Sequence, residues 1–334
     1  MRIESVRDLK LEIAVEVFAP LIDDLLERAL RPTLGTVIAS SPIRRIALGI
    51  GRGHGPGDFT LAVRLQAKLA LLQKFVDLVR ARAGDEVDVR FIGRVRAHDQ
   101  AIDAADLRKI CRPMVVGCSI AHIASTAGTL GLIARHRKSG RSIVLSNAHV
   151  LAQSGNAKLG DAISQPGRLD GGGSNDHVAA LLDFVPLRFV GSGSNQIDGA
   201  IAVVDDSIAL TGNTVPGLGA FTIADDAVTL PGLKVAKLGR TTGLTHGEIL
   251  ATELDDVLVD YDSGSAVFDH QTEIVGVPNM PFSDRGDSGS LVVDENMRAV
   301  GLVFCGNPSA NDGKGLSYAN HLPRVMTALD LVSL

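Results

Sequence analysis

The sequence predicts a mainly β protein preceded by a small α/β module. Three observations support this. From residue 118 onward, short apolar runs alternate with turn residues at the even spacing of a barrel or sandwich. The 334 residues include 36 glycines, which suits a fold with many turns. Helical periodicity is concentrated in residues 8–82, with one further stretch at the end of the chain.

Residues 8–31 read as helix. Ile13, Val17, Leu21, Leu25 and Leu26 recur at three- and four-residue spacing, with Asp23, Asp24 and Glu27 on the other side. Pro20 starts a second helical segment, proline being tolerated in a first turn, and Pro32 ends it. The polar side is acidic, so the stripe is expected to pack on protein rather than on a membrane surface. Residues 43–50 read as a strand that leads into the glycine-rich stretch 49–57. A phosphate-loop reading of that stretch fails, because it lacks a Lys-Ser/Thr ending and a second strand follows where a helix N-terminus is needed. A hairpin into a strand over 59–65 is expected instead. Leu69, Leu72, Val76 and Val79 mark a helix over 66–82, and 87–92 a further strand. The β-β-α-β module and its leading helix are taken as residues 1–116, without a catalytic constellation.

Strand-like runs follow at 118–123, 127–134, 142–146, 162–165, 178–186 and 200–204. The basic stretch 135–141 lies between two of them, around a Ser139-Gly140 turn, and reads as a solvated hairpin end. Leu145-Ser146-Asn147-Ala148-His149-Val150 ends a strand with a histidine, whose imidazole can take and return a proton near neutral pH. Asp198 opens the apolar strand Asp198-Gly199-Ala200-Ile201-Ala202, 49 residues further on. Asp183, among Leu181, Leu182, Phe184 and Val185, and Asp176, in a glycine-rich loop, are rival carboxylates. Ser288 lies 90 residues after Asp198, in Asp284-Arg285-Gly286-Asp287-Ser288-Gly289-Ser290, and Leu291-Val292-Val293 follows directly. A serine hydroxyl needs an adjacent base to become a nucleophile. Gly286 permits a tight turn that can aim its amide, beside that of Ser288, at a developing oxyanion.

Histidine, aspartate, serine is the chain order of the chymotrypsin-like form of the Ser-His-Asp apparatus. On these motifs the sequence resembles the trypsin-like serine protease superfamily in its bacterial, disulfide-free form, over residues 117–334. The resemblance implies a chymotrypsin-like double β-barrel: a first barrel over about 117–206, a linker over about 207–233, and a second barrel with a terminal helix over about 234–334. It implies that His149 is the general base, Asp198 its orienter and Ser288 the nucleophile, with the Gly286 and Ser288 amides as the oxyanion hole. Asn147 departs from the smaller residue of the family's Thr-Ala-Ala-His. Residues 239–249 resemble the family's Gly-x-Thr-Thr-Gly-x-Thr-x-Gly segment, in which His246 would be a turn residue. Residues 299–306 resemble the strand along which the family docks an extended substrate.

The implied primary pocket holds Phe282 at its base, Phe304, Cys305 and Gly306 on one wall, and Gly315 on the other. Nothing in it selects arginine or lysine, and small or apolar side chains are preferred. Cys305 has no neighbouring base and reads as a core or pocket thiol. Asp287 reads as a local structural charge. No Arg/Lys-Ile-Val-Gly-Gly activation site is present, so constitutive assembly is expected. The module together with the protease also resembles bacterial trypsin-like proteins related to the plant NARROW LEAF 1 protein.

Composition narrows the partners. The formal charge of −5 gives no support to a nucleic-acid partner. No run reaches the roughly eighteen apolar residues of a membrane span. The three cysteines (Cys111, Cys118, Cys305) are odd in number and lack framework spacing, which points to a reducing compartment. The first eight residues lack a signal-type apolar core, and a cytoplasmic location is expected. No metal or cofactor is implied, because histidines, cysteines and acids do not cluster at ligand spacing. The leading expectation is a serine endopeptidase that cleaves polypeptide through an acyl-enzyme. A trypsin-fold binding or scaffold protein, and an esterase with the same triad, are the alternatives. Leu21, Leu25 and Leu26 place apolar area on a terminal element, which either packs on its own β-β-α-β unit or meets another subunit, so a homo-oligomer formed through the module is one expectation.

Overall fold

The computed structural model describes residues 1–18, 20, 46–53, 58–65, 70–91, 104–223, 229–278, 280–309 and 315–334. The chain divides into two compact units, Met1–Ala97 and His98–Leu334.

In the smaller unit, α1 (Ile3–Ile13) continues into a π-type turn, Ala14–Phe18. The helix starts at Ile3 rather than at residue 8, because Val6 extends the buried face of Ile13 and Val17 by two turns. The remainder of the expected stripe, with Leu21, Leu25 and Leu26, lies outside the described residues. Strands β1 (Ile46–Arg52) and β2 (Phe59–Leu65) pair antiparallel, and the glycine-rich connection at 54–57 also lies outside the described residues. Helix α2 (Ala70–Ala83) leads to β3 (Val87–Phe91), which runs parallel to β2. Alternate residues Leu61 and Val63 of β2 meet Phe75, Val76 and Val79 of α2 and Val6, Ile13 and Val17 of the first helix. The helical stripe is therefore buried, at least in part, on its own sheet.

The division falls at 97/98, whereas the boundary expected from the sequence is 116. Leu107, from the short helix α3 (Ala104–Leu107), joins Met114 and Val116 in the main core of the larger unit. Met114 N–H also donates to Ala209 O at 2.8 Å. This stretch shows neither helical nor alternating periodicity, so its sequence pattern could not assign it to a side.

The larger unit contains two large sheets. The first is built from β4 (Ser119–His122), β5 (Gly128–Thr129), β6 (Leu132–His136), β7 (Ser142–Ser146), β8 (Ala162–Ser164), β9 (His177–Phe184) and β10 (Ala200–Val204). The connection that follows carries a ribbon, β11 (Thr214–Val215) and β12 (Gly219–Ala220), so the expected linker is partly structured. The second sheet takes β13 (Thr222–Ile223), β14 (Lys234–Gly239) and β15 (Gly243–Leu254). A second ribbon, β16 (Val257–Tyr261) and β17 (Gly264–Phe268), precedes β18 (Gln271–Gly276), β19 (Leu291–Asp294), β20 (Arg298–Asn307) and β21 (Leu316–His321). The last strand, β22 (Leu331–Val332), returns to the first sheet beside β6.

The second sheet runs β13-β20-β19-β14-β15-β18-β21, and β20 pairs with β21 as well, closing a six-stranded barrel. The first runs β22-β6-β7-β10-β9-β8-β4-β5, and β5 leads into β6 after only two residues, so the two ends of this order are joined along the chain. The strand expected over 127–134 breaks at Leu130-Gly131, where a Cβ on Gly131 would stand 2.0 Å from Gly289 O. The backbone there lies against the loop that carries Ser288, and it keeps bonds to both neighbours: Leu130 N–H donates to Cys118 O at 2.8 Å and Gly131 N–H to Leu145 O at 2.9 Å.

The terminal helix is shorter than the expected 322–334. It spans Leu322–Ala328; Asp330 then takes a φ of +53°, and Arg137 N–H donates to Asp330 O at 2.8 Å as the chain enters β22. Among the described residues, no helix is long and apolar enough to cross a membrane.

Candidate active site

Strands β7 and β10 are antiparallel neighbours with Ala200 opposite Ser146. This register places Asp198, just before β10, beside the short helix Ala148–Leu151 that follows β7 and carries His149. His149 Nδ1–H donates to Asp198 Oδ2 at 2.6 Å. The Asp198 side chain is fully buried, and its Oδ1 accepts the amides of Ala148 (2.7 Å) and His149 (3.2 Å). An ionised carboxylate only accepts, so the imidazole proton sits on Nδ1 and leaves Nε2 as a base. Asn147, the departure noted above, ties the two segments together: its Nδ2 donates to Asp198 O at 2.7 Å. Asp198 N–H in turn donates to Asn320 Oδ1 at 2.9 Å.

The rival carboxylates are engaged elsewhere. Asp183 is exposed and accepts the Phe184 amide, and Asp176 accepts the amide of Gly173. Among the described residues, neither meets His149.

Ser288 sits in the turn before β19. Its carbonyl accepts Thr129 N–H at 2.8 Å, and Thr129 O accepts the hydroxyl of Ser146, three residues before His149. Thr129 Oγ1 donates to Gly286 O at 2.9 Å and accepts the Arg240 amide at 3.2 Å. The two-residue strand β5 therefore holds the serine loop at the end of β7. Sequence reading passed over Thr129, which carries no motif of its own. Gly286 has a φ of +94°, and a Cβ there would lie 2.3 Å from the Arg240 guanidinium, so the turn requires glycine. Among the described residues, the amides of Gly286 and Ser288 donate to no acceptor. Ser288 Oγ donates to Phe304 O at 3.3 Å, and no hydrogen bond joins it to His149. His149 and Asp198 are thus brought together, while the serine hydroxyl is turned aside.

Asp287, between the two free amides, is fully buried. It accepts the amides of Thr241 (2.8 Å), Thr242 (3.2 Å) and Asp284 (3.0 Å), and the Thr242 hydroxyl (2.6 Å). Its counter-ion is Lys237 Nζ at 3.2 Å, also fully buried. Burial lowers the pKa of that ammonium from its ordinary value, with the charge of Asp287 pulling the other way. The segment at 239–249 is therefore the clamp on the serine loop, and a second buried pair, Arg240 to Asp170 at 2.5 Å, anchors it. The available signal for Lys237 was a lysine inside the apolar run Val235-Ala236-Lys237-Leu238.

The expected pocket residues do not all face a pocket. Phe282 is fully buried inside the closed barrel among Val235, Ile249, Ile274 and Val303, so it forms core rather than pocket floor. Phe304 is buried against Val259, Ala266 and Phe268 and is core too. Phe304 lies on the face of β20 opposite Val303, toward the β16–β17 ribbon, whereas Phe282 lies in the connection between β18 and β19. Cys305 is half-buried; burial first, then Asp198, push its thiol pKa well above the ordinary value, so it remains a thiol. Gly306 is exposed and pairs with Ser317, while Gly315 is buried beside Pro281 and Pro308. Ser283 and Ser317, which sequence reading did not select, share a buried hydrogen bond of 2.7 Å between these segments. None of the three cysteines is in a disulfide.

A family model described as the Nal1 C-terminal domain matches residues 197–334, less than half of the chain. No curated protein matches the chain. Among solved structures, the chain is similar to Nocardiopsis protease (NAPase), at 17% identity and a TM-score of 0.45, covering 65% of this chain and 96% of that one. Thermobifida fusca protease A gives 15% and 0.45, with 66% and 98% covered. A glutamic acid-specific serine protease gives 18% and 0.47, with 66% and 100% covered. These are distant likenesses to bacterial chymotrypsin-fold serine proteases.

Proposed function

We propose that the protein is a trypsin-like serine endopeptidase acting on polypeptide through an acyl-enzyme. The observation that supports this is the 2.6 Å bond from His149 Nδ1 to a fully buried Asp198 carboxylate. On this reading Ser288 Oγ leaves Phe304 O and turns to His149 Nε2. His149 takes its proton as Oγ bonds to the substrate carbonyl carbon, and Asp198 stabilises the imidazolium. The Gly286 and Ser288 amides hold the oxyanion. His149 then protonates the leaving amine as the carbon–nitrogen bond breaks, and water releases the acyl group by the reverse route. Catalytic hydrogen bonds are commonly long in unliganded enzymes and tighten with substrate.

The same proposal places the chain with the NARROW LEAF 1-related proteins, in a reducing compartment, with the N-terminal unit acting in assembly or access. Leu11 and Val15 lie exposed on the first helical segment, 69% and 61%, and provide apolar area for self-association. Light scattering on the full chain and on residues 98–334 tests that role. An unchanged oligomer size and unchanged cleavage of protein substrates would remove it.

A binding or scaffold role is the second reading, motivated by the Ser288 hydroxyl bound to Phe304 O. Intact-protein mass after treatment with a phosphonofluoridate separates the two. A single adduct, absent in Ser288→Ala, is expected of the hydrolase, and peptide against ester substrates then divides peptidase from esterase. Folded protein without any adduct would leave the scaffold.

A further inference from the structure

Asp198 Oδ2 accepts two donors. One is His149 Nδ1–H at 2.6 Å, and the other is the Tyr261 hydroxyl at 2.9 Å. Tyr261 ends β16, in the ribbon that belongs to neither large sheet. The segment leading to Asp198 carries that ribbon. Val190 N–H donates to Ser265 O, Asn195 N–H to Val267 O and Asp269 N–H to Asn195 O, each at 2.8 Å. The Asn195 side chain adds a bond to Val267 O at 3.0 Å and another to Arg188 O at 2.7 Å. The tyrosine and the aspartate are thus fixed to each other through one short stretch of chain.

The ring is held as firmly as the hydroxyl. Its centroid lies 5.8 Å from that of His149 in an edge contact, 6.5 Å from Phe189 and 6.3 Å from Phe268. Burial first, and then the charge of Asp198, push the phenol pKa well above its ordinary value, so the hydroxyl remains a donor. The other titratable group facing the pair is the Cys305 thiol on β20, which stays protonated for the same two reasons.

We propose that Tyr261 is a positioning residue that sets, through Asp198, how firmly the carboxylate holds the His149 imidazole. This rests on the serine-hydrolase reading of the site. Oδ1 is occupied by two backbone amides, so the interaction with His149 depends on the charge left on Oδ2. A hydroxyl donating to that same oxygen draws charge from the bond to Nδ1, since charge-assisted hydrogen bonds are the strong ones. Removing the hydroxyl returns that charge to His149 and favours the imidazolium. A purely structural tyrosine would alter stability and leave His149 as it is.

The test is the imidazole titration of His149, followed by NMR in the full-length protein and assigned with His149→Gln, so that no turnover is required. Tyr261→Phe keeps the ring and removes the hydroxyl. The His149 pKa is expected to rise by roughly half a unit or more. Where turnover is measured, kcat should fall several-fold with KM held, and the acid limb of kcat/KM should move to higher pH by the same amount. Biosynthetic 3-fluorotyrosine, a stronger donor, should move the titration the opposite way and covers the case of a variant that folds poorly. An unchanged His149 titration in folded Tyr261→Phe protein, or no response to 3-fluorotyrosine, overturns the proposal. A shift in a protein that never labels at Ser288 upholds the coupling and defeats the hydrolase reading instead.

Discussion

Lys237 Nζ lies 3.2 Å from Asp287 Oδ2, and neither side chain reaches solvent. Asp287 is flanked by the two residues whose amides are free, so this pair sets the conformation of the serine loop from inside the chain. Removing one partner of a buried pair strands the other charge. Lys237→Met is therefore expected to lower stability by about 3 kcal/mol. Its phosphonofluoridate labelling should slow as the loop loosens. Lys234→Met, which breaks an exposed pair with Glu248, should cost no more than about 1 kcal/mol. Denaturant midpoints of the two variants decide it; equal midpoints would mean that Lys237 does not brace the loop.

Thr129 makes the second brace. Thr129→Val keeps the β-branched shape and the main-chain bond to Ser288 O, but removes the hydroxyl that meets Gly286 O and the Arg240 amide. A buried amide left without an acceptor costs about 1–3 kcal/mol. Labelling of Ser288 should slow in parallel. A variant as stable as wild type and labelled at the same rate would show the hydroxyl to be incidental.

The carboxylates give a discriminating series. Asp198→Asn cannot hold the Nδ1–H tautomer and should lower kcat by roughly 10⁴-fold. Asp176→Asn and Asp183→Asn change carboxylates that accept only local amides, keep an acceptor oxygen for them, and should leave kcat near wild type. If folded Asp183→Asn protein were the inactive one, the assignment of the orienting acid would be wrong.

What the sequence revealed and what it hid have physical causes. Ser142–Ser146 and Ala200–Val204 were readable because short apolar runs between turns have few other uses, and their register alone carries His149 to Asp198. The brace around the serine was hidden because Lys237, Thr129 and Asp170 come from segments far apart in the chain. The burial of Phe282 and Phe304 was not readable because a motif gives a residue's position along the chain but not the side on which it packs. The break between β5 and β6 at Leu130-Gly131 was invisible, since it lies against a loop more than 150 residues away. Tyr261 carried no signal beyond an aromatic at a turn, yet its hydroxyl reaches a fully buried charge of the site.

The tyrosines give a test that needs no substrate. The chain has two tyrosines and no tryptophan, so phenolate absorbance reports on Tyr261 and Tyr318 alone. The Tyr318 hydroxyl donates to Glu273 Oε2 at 2.9 Å; burial first, and then Glu273, push its pKa up to about 12. Tyr261 is pushed higher by burial and Asp198. Both folded-state values lie above the unfolded value of about 10. The stability these groups contribute is therefore complete below pH of about 10 and is lost as pH rises through the folded values, for Tyr318 between about 10 and 12. Native protein should show little phenolate at the pH where urea-unfolded protein is half ionised. Tyr318→Phe should remove the step near 12, and Tyr261→Phe should remove absorbance that otherwise appears only on unfolding. A tyrosine of ordinary pKa in folded wild type, lost in Tyr261→Phe, would mean that the Tyr261 hydroxyl faces water in solution and not Asp198.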